Sequence, residues 1–70
     1  MSDLTDTDKL RMKMIYYANA HMGKSLSQAK ARHVVKIDYI ASHIKDFALE
    51  TELEKLPKYI QREVRETSLE

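Results

Sequence analysis

Apolar residues along the chain recur three and four positions apart, the spacing of a helix face rather than the alternation of a strand. Near the N-terminus, Leu10, Met14, Tyr17 and His21 share one side. The preceding "TDTD", Thr5 to Asp8, reads as a capping box with a carboxylate in place of the usual Glu or Gln. Its acids also suit the positive end of a helix. The pattern predicts a first helix over about 5–22. Gly23 closes it, because glycine takes a left-handed cap without strain.

"SLSQ", Ser25 to Gln28, is a second capping box and opens a longer predicted helix over about 25–50. Leu26, His33, Ile40 and Phe47 form one row of its stripe. Lys30, Ile37 and Ile44 form a second row, and Val34, Ala41 and Ala48 a third. Together they make the wide stripe of a bundle helix. "TELE", Thr51 to Glu54, is a third box, and Pro57 marks a break or first-turn position. Leu53, Leu56, Ile60 and Val64 outline a third helix over about 52–66, and residues 52–56 fit the end of the second helix equally well.

The fold class that follows is all-α: an antiparallel helical hairpin plus a short C-terminal helix, in a single domain over residues 1–70. One glycine and one proline leave little room for hairpins or long loops. At 1.5 Å per residue the first helix spans about 24 Å and the second about 36 Å, so about 12 Å of the second is uncovered by its partner. Either the third helix folds back onto that overhang in a small three-helix bundle, or two chains pair as a homodimer. Seventy residues sit near the lower limit for a self-sufficient core. Met12, Met14, Met22 and Val35 suit a partner surface as well as a core.

The stretch "ANAHMGKS", Ala18 to Ser25, fits a permissive phosphate-binding loop. That loop needs a strand before it and a helix after it, with backbone N–H groups of a glycine-rich turn around the phosphates. Here a predicted helix precedes it and there is a single glycine, so Gly23 is a helix stop and Ser25 a cap. What remains is a residual role in which N–H groups at the start of the second helix, next to Lys24, meet a phosphate.

The histidines, His21, His33 and His43, lack a recognised zinc spacing, and there is no cysteine to complete a set. His21 and His33 fall on apolar faces and are expected as hydrogen-bonded packing residues. No triad spacing or cofactor fingerprint is present, so neither enzymatic activity, a cofactor nor a small-molecule substrate is expected. The acidic, polar N-terminus is not a secretory signal, and no apolar run approaches the roughly 18–20 residues of a membrane span. With no disulfide to form, a cytoplasmic, non-membrane protein is expected, bacterial or phage in character.

Charge supplies the sharpest signal. The net charge is only +1, but its distribution is uneven. Between Lys9 and Ile37 lie seven bases (Lys9, Arg11, Lys13, Lys24, Lys30, Arg32 and Lys36) and no acid. From Asp38 to Glu70 there are eight acids against five bases. At about 100° per residue, Lys9, Lys13 and Tyr16 share the side of the first helix opposite its apolar residues, and Arg32, Lys36, Tyr39 and His43 share another on the second. Bases neutralise phosphates, and tyrosines stack on unpaired bases or hydrogen-bond the backbone. The expected site is therefore a nucleic-acid contact through Lys9, Lys13, Tyr16, Lys24, Arg32, Lys36 and Tyr39, in a small non-enzymatic accessory or regulatory protein. The alternative is a protein–protein adaptor or inhibitor that binds no nucleic acid. A third class is an enzyme subunit that supplies no chemistry of its own.

Overall fold

The computed structural model describes residues 3–70; Met1 and Ser2, the start of the acidic N-terminal segment, lie outside them. Among the described residues the chain is entirely helical, as its periodicity requires, but with four helices in place of three: α1 (Asp6–His21), α2 (Gln28–His43), α3 (Asp46–Glu54) and α4 (Lys58–Arg65). No strand occurs among them.

The capping box of α1 is formed. Thr5 Oγ1 accepts from the Asp8 amide at 3.0 Å, and Asp8 Oδ2 accepts from the Thr5 amide at 3.2 Å. Two of the helix's unpaired donors are thereby satisfied. At the other end Gly23 adopts a φ of 79° and turns the chain. The start of α2 differs from the capping-box expectation. Ser27, not Ser25, is the cap, accepting from the Lys30 amide at 3.2 Å. Leu26 packs against the core from the loop, and the helix begins only beyond it. Lys24 thus lies in the turn, three residues before the cap, and not at the first turn of α2.

The expected long second helix is also absent. The chain is extended at Ile44 and Lys45 and restarts as α3, so Thr51 lies inside a helix and caps nothing. The reason is the core. Carried on from α2 without a break, Leu49 and Leu53 would point about 120° and 160° away from Ile37, while Phe47 and Ala48 stayed near its side. The break reverses that choice. Leu49 and Leu53 are fully buried, and Phe47 is 85% exposed. Burying a leucine contributes about 1.5–3 kcal/mol, so two leucines outweigh one phenylalanine and an alanine. α1 and α2 now have 16 residues each, and the overhang of about 12 Å that suggested pairing of two chains does not exist.

α3 ends at Glu54, and Pro57 sets the entry into α4 with φ −56°. The Gln61 side chain ties this corner, donating to the carbonyls of Leu56 at 2.7 Å and Glu54 at 3.2 Å. α1 packs against all three other helices. Its Leu10, Met14 and Tyr17 meet Val34, Ile37 and Ile40 of α2, Leu49 and Leu53 of α3, and Ile60 and Val64 of α4 in one core.

Candidate functional site

The seven bases of the acid-free span have different fates. Arg11 is taken up by the fold. Its Nη1 donates to the Ala41 carbonyl at 2.6 Å, and its Nη2 to the Ile44 carbonyl at 2.8 Å and to Asp46 Oδ1 at 2.7 Å. These carbonyls are the ones a helix end leaves unpaired. Lys13 performs a similar service at the end of α4, donating to the Arg65 carbonyl at 2.7 Å. Lys30 pairs with Glu63 at 3.3 Å. Lys9, Lys24, Arg32 and Lys36 enter no ion pair among the described residues.

Arg32, Lys36 and Tyr39 project from the side of α2 opposite buried Val34, Ile37 and Ile40, and all three are exposed. The Tyr39 ring, 51% exposed, stacks on His43 with centroids 4.5 Å apart, and His43 Nδ1–H donates to the Tyr39 carbonyl at 3.2 Å. This leaves the outer ring face of Tyr39 and two cations on one helical surface. Val35 is exposed beside them.

Lys9 and Lys13 border α4 instead, with Tyr16 exposed one turn further along α1. The expected residues are thus divided between two helices, Lys9, Lys13 and Tyr16 on α1 and Arg32, Lys36 and Tyr39 on α2, with Lys24 in the turn between them. In the depression between α1 and α4, about 240 Å³ in volume, Lys9, Lys13 and Arg65 meet Asp6 and the edge of Leu10. Arg65 is in turn paired with Glu50. A second depression of about 440 Å³ adjoins it through Arg65 and is lined by Lys58, Arg62 and Glu66. Lys58, Arg62 and Arg65 were concealed in the sequence by the acid-rich composition of its C-terminal half. The signal that finds them is their spacing, four and then three residues apart, opposite Ile60 and Val64.

The polar contact closest to the core joins α1, α2 and α4. The Tyr17 hydroxyl donates to Glu63 Oε1 at 2.6 Å, and the same oxygen receives Lys30 at 3.3 Å. Burial, then the neighbouring Glu63 carboxylate, raises the Tyr17 pKa. The bond from Tyr17, aided by Lys30, lowers that of Glu63. The His21 ring packs at a tilt of 32° against Tyr17 with centroids 4.2 Å apart and donates from Nδ1–H to the Tyr17 carbonyl at 2.9 Å. His21 is thus held within its own helix, as a hydrogen-bonded packing residue.

No helix among the described residues is long and apolar enough to cross a membrane. No protein-family model, curated protein or solved structure matches the chain.

Proposed function

We propose that the protein is a small non-enzymatic accessory factor that contacts the phosphate backbone of nucleic acid through the outer face of α2. The observation that carries this is the Arg32–Lys36 pair: two exposed like charges at i,i+4, neither in an ion pair. Such a pair costs an isolated helix a few tenths of a kcal/mol. Helix stability does not account for it, and a polyanion would turn the repulsion into attraction. Tyr39, beside the pair, offers a ring face to an unpaired base or a hydroxyl to the backbone.

The experiment is a fluorescence titration with mixed-sequence oligonucleotides at low and physiological salt. The double variant Arg32→Gln, Lys36→Gln should weaken binding and flatten the salt dependence by about 0.7–0.9 in log affinity per log salt for each lost phosphate contact. Tyr39→Ala should weaken single strands more than duplex if the ring stacks. Absence of wild-type binding at low salt would eliminate this function.

Phe47 favours a second reading, a protein–protein adaptor. At 85% exposed it is the most accessible large apolar side chain of the core-forming helices. Binding through Phe47 would persist at high salt, where phosphate contacts are lost.

A further inference from the structure

We infer that the outer ridge of α4, with Lys9 across the α1–α4 depression, is a second surface for consecutive phosphates of a nucleic-acid strand. The inference rests on the nucleic-acid function proposed above but on other residues. Lys58, Arg62 and Arg65 lie on the side of α4 opposite its buried Ile60 and Val64. Lys58 and Arg62 enter no ion pair among the described residues. Arg65, which lines both depressions, pairs with Glu50, and its carbonyl accepts from Lys13.

Helix stability explains these charges only in part. Arg62 and Arg65 lie in the last turn of α4, where cations are favourable. Lys58 does not fit that account. It is the first residue of α4, a helix with no side-chain cap, so its charge opposes the positive end of the helix. It also repels Arg62 four residues on. The same i,i+4 repulsion recurs between Lys9 and Lys13 on the facing helix. Lys9, Lys13, Lys58, Arg62 and Arg65 line the two depressions with Asp6 and Glu66, and Glu50 pairs with Arg65 from outside the lining, so five cations meet three carboxylates.

Dimensions set the ligand. From Lys58 to Arg65 the helix rises about 10 Å, the axial reach of about three phosphates at roughly 3.4 Å per nucleotide of one strand. A linear polyanion fits such a ridge better than a single small anion, because the two depressions are open and share Arg65.

The test measures fluorescence anisotropy of labelled mixed-sequence oligonucleotides, single-stranded and duplex, between about 50 and 200 mM salt. The wild type is compared with Lys58→Gln/Arg62→Gln, with Lys58→Arg/Arg62→Lys and with Arg32→Gln/Lys36→Gln, each confirmed helical by circular dichroism. Loss of two phosphate contacts in Lys58→Gln/Arg62→Gln should weaken binding roughly tenfold at low salt and reduce the salt slope by about 1.4–1.8. The charge-conserving variant should stay near wild type. If Lys58→Gln/Arg62→Gln retains wild-type affinity and slope while Arg32→Gln/Lys36→Gln binds weakly, the ridge is excluded and the α2 contact stands. An equal loss in the charge-conserving variant would also overturn the ridge, since charge would not be what matters. A wild type that binds no oligonucleotide at low salt would remove both surfaces together.

Discussion

Arg11 of α1 and Asp46 of α3 meet at 2.7 Å across 35 residues of sequence. The same guanidinium holds the Ala41 and Ile44 carbonyls, so one side chain closes the end of α2 and fastens the start of α3. The planar donor fork of arginine reaches all three acceptors at once, which an ammonium does less well. Because the carbonyls are partly buried and Asp46 is largely exposed, most of the benefit should come from the carbonyls.

Arg11→Gln should therefore destabilise the domain by about 1.5–3 kcal/mol in urea unfolding, the range for hydrogen bonds to a charged group. Asp46→Asn should cost less than about 1 kcal/mol, as an exposed ion pair does. Equal losses in the two variants would mean that the ion pair, and not the capped helix end, holds the α2–α3 corner.

Tyr17 and Glu63 should give stability two pH limits. The pKa of Glu63 is depressed in the folded state, so its contribution is present above its unfolded value near 4.3 and is lost as pH falls through the lower folded value. The pKa of Tyr17 is raised, so its contribution is complete below about 10 and is lost as pH rises through the higher folded value. Tyr17→Phe should abolish the alkaline loss and reduce the acid one, leaving what Lys30 supplies. Urea midpoints measured across pH for both proteins would show it, and an unchanged alkaline limb in Tyr17→Phe would assign that loss to another group.

At Gly23 the cost of substitution should be purely conformational. A Cβ there would meet nothing within 4 Å, yet φ is 79°. Gly23→Val should destabilise by roughly 1 kcal/mol or more, because a β-branched residue resists positive φ. Gly23→Asn should cost clearly less, since asparagine tolerates the left-handed region. Equal unfolding free energies for the two variants would show that the turn rearranges.

Ile40 and Phe47, assigned by sequence spacing to one row, should separate completely. Ile40 is fully buried and Phe47 is 85% exposed. Ile40→Asp places an unpaired charge in the core and should unfold the domain. Phe47→Ser should stay within about 0.5 kcal/mol of wild type, as surface substitutions do. Circular dichroism and urea unfolding distinguish the outcomes, and a loss of several kcal/mol in Phe47→Ser would show that Phe47 is covered in solution.

The sequence by itself determined what depends on near neighbours. Periodicity made the chain helical. Thr5 and Asp8 start α1 because each reaches the other's amide within one turn, and Gly23 supplies the positive φ of the turn that follows its extended cap, Met22. The core rows of α1 and α2, from Leu10 to Tyr17 and from Val34 to Ala41, also follow from spacing alone. What only the tertiary structure decided depends on residues far apart. The α2–α3 break has no glycine or proline to announce it. Its cap is Arg11, and the burial of Leu49 and Leu53 in place of Phe47 favours it. The same distance effect divided the basic residues. Spacing places a lysine on a face, but a carbonyl or carboxylate from another helix decides whether it is free. Arg11, Lys13 and Lys30 became struts for this reason, Arg32 and Lys36 stayed open, and Lys9 came to share a depression with Arg65, which lies at the other end of the chain.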